Sequence, residues 1–443
     1  MPVGAEGTEL VGGSSRGMLL TISPSGGGAF HRGERASSGS IGTMSSTGPR
    51  PDDASASDPV ARSAPPAAEP SRPTRPRVLL LFGGRSGEHA ISCATAAGVL
   101  RVLDRERYEV VPVGITRDGH WVLADPAPER WEIRDGVLPE VTLGEGGEVV
   151  LPMGSGQRSL RVIEPGGRQA RDLGEIDVVL PLLHGPFGED GTLQGMLEMA
   201  DVRYVGSGVL ASAVGMDKHF MKLVLAGEGI PVGPYVAVPA GRWERDRQAV
   251  LDAVAGLRLP LFVKPARAGS SLGISRVTDL AELPAAVAEA QRHDPKIIIE
   301  EGIEGREIEC AVLGGRHGTA PRASLPGEIV VTGATHTFYD FAAKYLDEAG
   351  VQLSCPADLP ADVIERVRAT AVRTFDAVGA EGLSRVDVFV RPGGEVVVNE
   401  INTMPGFTPF SMYPRMWEES GLGYADLLDE LLAIALERPL GLR

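Results

Sequence analysis

The 443-residue chain is poor in cysteine, in aromatic side chains, in basic residues and in long apolar runs, and each shortage excludes something. Its cysteines, Cys93, Cys310 and Cys355, are odd in number and far apart, which rules against a disulfide framework or a zinc site of paired ligands. That usage fits a reducing cytoplasm. No apolar run approaches the roughly 20 residues of a membrane-spanning helix. Met18–Ile22 is too short for the apolar core of a signal peptide and is flanked by Gly and Ser. Lys and Arg number 43 against 59 Asp and Glu, a net charge of −16 that disfavours nucleic acid or an anionic membrane as partner. A local basic pocket for phosphate remains compatible with it. No G-x-G-x-x-G joins a strand to a helix, so a nicotinamide-dependent oxidoreductase is disfavoured, and no Ser-His-Asp order or cysteine nucleophile competes. What is present is globular: 43% hydrophobic and 23% charged residues, with length for two or three domains.

Residues 1 to about 75 consist mainly of Gly, Ser, Pro, Ala and Arg without hydrophobic periodicity, so they are expected to be disordered; Met44 is a possible internal start. Order begins with the apolar run Arg77–Phe82, a Gly-rich turn to His89, and Ile91, Thr95, Val99 and Val102 at helical spacing. Strand, glycine turn and helix open a doubly wound α/β unit. Glu88 at the helix start either complements the helix dipole or serves a ligand, and the fragment leaves both open. Residues 124–172 read as an excursion within this first domain. Ile176–Pro181 is a second buried strand, and His184 stands just past its carboxyl end, where open α/β sheets gather ligands. A structural role for a single histidine is equally compatible.

Met216-Asp217-Lys218 opens an apolar helical stretch through Phe220, Leu223 and Leu225. Pro260–Lys264 then predicts a strand, followed by the small-residue loop Pro265–Gly273 and a strand Ile274–Val277. Such a loop either cradles a phosphate with backbone N–H groups, helped by Ser270, Ser271 and Lys264, or is a plain hairpin. It is not a Walker A loop, because the lysine precedes it. Lys296–Glu300 predicts a buried strand whose connector, Glu301 to Ile303, offers backbone groups for adenine, with Glu300 at the edge of solvent. Glu307 and Glu309 alternate on the next strand and, taken alone, read as surface acids. Phe338–Pro360 is long and irregular, which suits either a lid that excludes water or an Ω-loop anchored by its aromatics. Val367, Ala371, Phe375 and Val378 form a helical stripe ended by Gly379, and Asp426–Glu437 a closing amphipathic helix.

The densest pattern lies at 384–411. Val386, Val388 and Val390 alternate with Arg385, Asp387 and Phe389, and Glu395–Asn402 resumes the alternation after Gly393-Gly394. A two-residue turn at the glycines pairs Arg391 with Val396. It then sets Asp387 opposite Glu400 and Arg385 opposite Asn402 on one face. Opposed carboxylates repel. A hard divalent cation relieves the conflict, and Asp, Glu and Asn oxygens are ligands Mg²⁺ takes beside phosphate; the plainer reading is a solvated polar face. Together, a phosphate loop with lysines, an adenine connector, a two-acid strand pair and a lid suggest ATP-driven activation of a carboxylate.

The motifs GGRSGEHAIS (83–92), HGPFGEDGTLQG (184–195), MDK (216–218), VKPARAGSSLG (263–273), EEGIEGREIE (300–309), YDFAAKYL (339–346), SRVDVFV (384–390) and NEINTMPGFTPFSMYP (399–414), in this order, resemble the D-alanine–D-alanine ligase family of ATP-grasp enzymes over about 76–440. The N-terminal extension departs from the family pattern. The resemblance implies an α/β substrate domain at 76–215, a central ATP-grasp subdomain at 216–305 and a C-terminal one at 306–443, with α+β character in the ATP-grasp part. It implies ATP-dependent joining of two D-alanines through an acyl phosphate, in a cytoplasmic homodimer. Asp387, Glu400 and Asn402 would hold two Mg²⁺ or Mn²⁺. Lys218, Lys264, Ser270, Ser271 and Lys344 would meet the phosphates, and Glu300, Glu301, Ile303 and Glu307 the adenosine. Glu88 and His184 would lie by the first D-alanine, with Ser270 and Tyr345 linking Glu88 to the lid. Arg385 and the Gly406 N–H would stabilise an oxyanion, and Ser411 would take the second carboxylate. A D-lactate or D-serine ligase, or another ATP-grasp carboxylate–amine ligase, is the alternative.

Overall fold

The structure is a computed structural model, which describes residues 75–134, 136–144, 146–154, 158–164, 167, 170–331 and 351–440. The expected disorder of the N-terminal extension and the lid residues Lys344 and Tyr345 lie outside the described residues.

The apolar run at 77 becomes the strand Arg77–Gly83, buried from Val78 onward. Parallel partners flank it, Glu109–Ile115 on one side and Val178–Pro181 on the other, and Arg203–Tyr204 extends the parallel set. A central parallel strand is covered on both faces, which is why its sequence is a continuous apolar run and not an alternation. The helix His89–Val102 packs against it. The excursion at 124–172 stays with the sheet: Trp121–Leu123, Glu148–Val150, Ser159–Ile163 and Ala170–Glu175 add to it as a meander, pairing antiparallel. The doubly wound unit keeps its parallel strands and the sheet as a whole is mixed, because strands joined by short connections can only return antiparallel, whereas parallel pairs need a crossover.

A second sheet orders Ser275–Val277, Leu261–Pro265, Ile297–Glu301 and Tyr235–Val238, all antiparallel, against the helices Arg247–Val254 and Leu283–Gln291. A third orders Val351–Ser354, Gly327–Val331, Arg306–Leu313, Leu383–Val390 and Val396–Asn402, with the helix Ala361–Ala377 on one face. Gly379, at φ 67°, ends that helix. Within the stretch expected to be irregular as far as Pro360, Val351–Ser354 is an edge strand.

The helix Lys218–Gly227 also corrects an expectation. Asp217 caps it, accepting from the N–H groups of His219 and Phe220 at 3.1 and 3.2 Å. Its buried side is Lys218, Met221, Lys222 and Leu225, while Phe220 and Leu223 are half exposed. The row at i, i+3, i+4 and i+7 from Lys218 faces inward because both lysines have acids waiting across the interface, as described below.

Candidate active site

The pairs expected in the hairpin at 384–402 are present, but the turn that was to produce them is not. Arg391 closes the loop with Glu395, its N–H donating to the Glu395 carbonyl at 2.9 Å, so Pro392, Gly393 and Gly394 form a three-residue turn. Pro392 has no N–H for a ladder and takes the first corner, while Gly393 and Gly394 take φ of 109° and 82°. That shift alone would put Asp387 out of register with Glu400. A bulge between Asp387 and Val388 restores it, leaving Asn399 as the extra residue. Asp387 faces Glu400, and Arg385 faces Asn402.

The neighbouring strand completes the rung, since Glu309 pairs with Asp387 from the other side. Glu309 is 3% exposed and lines the cavity, so the surface reading of this acid is corrected; Glu307 is half buried. Its place between Ile308 and Cys310 carried no sign of this until the strand order was known. Arg385 neutralises the rung. Its Nε and Nη2 each meet an Asp387 oxygen at 2.7 Å, and Nε lies 3.2 Å from Glu309. Burial works against the guanidinium's charge, but Asp387 and Glu309 outweigh it and hold the pKa well above the usual arginine value. Asn402 donates its Nδ2 to Asp387 at 3.0 Å, and Glu400 pairs with Lys218 at 3.1 Å.

One cavity brings together Glu88, His184, Ser270, Arg385, Glu400, Asn402, Gly406 and Ser411. His184 points Nδ1 at the Met404 carbonyl, 3.1 Å away, which requires the Nδ1–H tautomer. Burial lowers its pKa, so the ring is neutral, and its Nε2 is buried with no hydrogen-bond partner. Glu189 also lines this cavity, a residue to which the sequence assigned no role. It accepts from the N–H of Gly185 at 2.7 Å and of Met404 at 3.3 Å, so loops of two sheets meet at one carboxyl. Burial first, and Glu88 second, push it up to about 8. Glu88 itself accepts a hydrogen bond from the Ser270 hydroxyl. By contrast, His89 is an ordinary core residue between the Gly84 carbonyl and the Val141 N–H.

Towards the second sheet, Ser270 and Ser271 take left-handed φ of 49° and 57°, a conformation rare for residues with a side chain and concentrated at ligand-binding turns. Lys218 reaches the loop's Ala268 carbonyl at 3.0 Å. Glu300, expected at the edge of solvent, is 7% exposed and lies between Lys264 at 2.6 Å and Lys222 at 3.0 Å. Burial pushes its carboxyl up, yet Lys222 and Lys264 outweigh it and hold it at about 2. Glu301 turns instead to Arg258, accepting from its backbone N–H and guanidinium. It lines a neighbouring cavity with Phe262, Gly302 and Ile303. Ser411 is the N-cap residue of the helix Met412–Glu419, and its Oγ lies 2.7 Å from that of Thr408.

Among the described residues no group of three or more His, Cys, Asp or Glu side chains is placed to hold a metal ion. Asp387, Glu400 and Asn402 offer oxygens only, too few for a cage but suited to a hard cation that shares its shell with phosphate.

The family described as D-ala D-ala ligase N-terminus matches residues 77–207, and that described as D-ala D-ala ligase C-terminus matches 224–433. A D-alanine–D-alanine ligase of Kineococcus radiotolerans is 60% identical over 374 residues, 83% of this chain and 99% of that one. One from Pseudarthrobacter chlorophenolicus is 58% identical over 377 residues, 85% and 98% of the two chains. Among solved structures, the VanG D-Ala:D-Ser ligase of Enterococcus faecalis is similar with a TM-score of 0.70 at 34% identity, covering 82% of this chain and all of that one. The D-alanine–D-alanine ligase of Coxiella burnetii gives 0.67 at 35% identity, covering 82% and 94%.

Proposed function

The chain belongs to the D-alanine–D-alanine ligase family, and on that premise we propose how its cavity joins two D-alanines with ATP for peptidoglycan synthesis. The supporting observation is the convergence of Glu88, His184 and Ser270 with Arg385, Glu400 and Asn402 of the hairpin and the Ser411 helix start on one space, with Asp387 behind it holding Arg385 and Asn402. The ammonium of the first D-alanine sits at Glu88, whose carboxylate Ser270 holds. The unpartnered, neutral His184 Nε2 faces the same substrate as an acceptor. Lys218 and Lys264 meet the ATP phosphates, with Ser270 and Ser271 on the loop that follows Lys264. Glu300, Glu301, Ile303 and Glu307 border the adenosine.

The carboxylate of the first D-alanine takes the γ-phosphoryl, giving D-alanyl phosphate and ADP. The free amine of the second D-alanine then attacks the acyl carbon. Arg385 and the Gly406 N–H stabilise the oxyanion that forms, and its collapse expels phosphate and leaves D-Ala-D-Ala. Positioning and charge stabilisation carry most such reactions. The second substrate's carboxylate lies at Ser411, where helix N–H groups favour an anion. Asp387, Glu400 and Asn402 would hold Mg²⁺, two ions or their Mn²⁺ equivalents, which when bound neutralises the triphosphate. Lys344 and Tyr345 are assigned to the lid by motif alone.

The residue division 76–215, 216–305 and 306–443 is likewise a proposal, made from the resemblance and supported by the spans of the three sheets. So are a homodimer, testable by light scattering, and a cytoplasmic location; among the described residues no helix is long and apolar enough to cross a membrane. The test of function is phosphate release from ATP and Mg²⁺ that depends on D-alanine. No release with D-alanine, but a clear rate when D-serine or D-lactate is the second substrate, would overturn the choice of acceptor.

A further inference from the structure

Lys222 is a buried cation that the proposed catalytic roles leave unused. Lys222 lies one turn beyond Lys218 on the helix Lys218–Gly227, and its side chain is 2% exposed. A lysine almost never occurs at such depth unless paired. Its partner is Glu300, which it meets through Oε1 at 3.0 Å while Lys264 meets Oε2 at 2.6 Å. Tyr235, opposite Glu300 on the neighbouring strand, places its ring 5.9 Å from the Lys222 ammonium. The two lysines are not equivalent. Lys222 comes from a helix that Asp217 caps, and Lys296 in turn grips both Asp217 oxygens at 2.7 Å. Lys264 stands on the strand that leads into the Pro265–Gly273 loop, and its side chain is more accessible at 13%.

A buried carboxylate that loses its only cation is left with an uncompensated charge, which is strongly unfavourable. Were Lys264 the sole partner of Glu300, turning it towards a phosphate would incur that cost at every binding event. With Lys222 fixed on the other oxygen, Glu300 stays neutralised whichever way Lys264 points. We propose that Lys222 is a positioning residue for the nucleotide: as the permanent counter-ion of Glu300, it frees Lys264 to bind phosphate. This rests on the reading of Lys264 as a phosphate ligand.

The test compares ADP and adenosine binding, in Mg²⁺, to the full-length protein and to Lys222→Met, a neutral replacement of similar length. Adenosine has no phosphate for Lys264 to meet. The expected result is a loss of ADP affinity of tenfold or more with adenosine affinity changed less than twofold. Equal losses for both ligands, which a merely structural lysine would produce, overturn the proposal, as does no change in either. Failure of the unaltered protein to bind ADP would instead overturn the nucleotide reading beneath it. Should Lys222→Met not fold, the pair Glu300→Gln and Lys222→Met/Glu300→Gln answers the same question without a buried unpaired charge. Lys222 acting through Glu300 predicts ADP affinities within threefold for those two variants, and a tenfold gap between them sinks it.

Discussion

Glu189 and Glu300 are the same residue type within one functional region, Glu300 buried and Glu189 half-buried, and their acidities differ enormously: about 8 for Glu189 and about 2 for Glu300. The difference is the company each keeps. Glu300 has two ammonium groups; Glu189 has two backbone N–H groups and the charge of Glu88 nearby. The region proposed for the nucleotide is therefore neutralised by counter-ions, and that proposed for the amino acid by a retained proton beside a neutral histidine. That suits the chemistry proposed at each end: lysines and acids can exchange partners with a polyanion, while a small zwitterion is met by few, fixed charges.

The largest expected effects test the counter-ion end. Glu400→Gln keeps the fold, because the side chain is only partly buried. It should cost about a thousandfold in kcat, with an unchanged far-UV circular dichroism spectrum, and full activity would remove the proposed metal role. Lys264→Met should lower kcat/KM for ATP about a hundredfold with little change in Tm, since Glu300 keeps Lys222.

The proton-neutralised end should respond to pH. Glu189 in the folded state retains its proton up to about 8, against 4.5 for an ordinary glutamic acid. Its contribution to stability is thus fully present below about pH 4.5 and is lost as pH rises towards 8. Glu300, held near 2, does the reverse: its contribution is present above 4.5 and lost on acidification. Glu189→Gln cannot ionise, so its Tm should fall less between pH 5 and pH 8 than that of the unaltered protein, and parallel melting curves would contradict the retained proton. The smallest effect is expected at Arg258, whose side chain is 82% exposed where it pairs with Glu301. Arg258→Ala should change stability by less than about 1 kcal/mol in denaturant melts.

Elements carried by a single run or stripe were legible from the chain alone. The strand at Arg77, the helix stripe through Phe375 and the small-residue loop after Lys264 follow from local periodicity and small residues, as found. Features that depend on what lies across an interface were not. Of the apolar helical residues Phe220, Leu223 and Leu225, the first two are half exposed and only the last is buried, while Lys222 lies inside. Glu309 looked solvated and is buried against Arg385. The hairpin register came out right through two compensating departures, a longer turn and a bulge; Pro392 signalled the first, and no residue of the second strand signalled the other.

The sequence by itself determined the family, the order of the motifs and which residue types can bear charge, because these depend on covalent identity and local spacing. Only the tertiary structure decided which acids keep a proton and which keep a cation. Burial and partner distance set those states, and both are properties of the assembled sheets, not of any one segment.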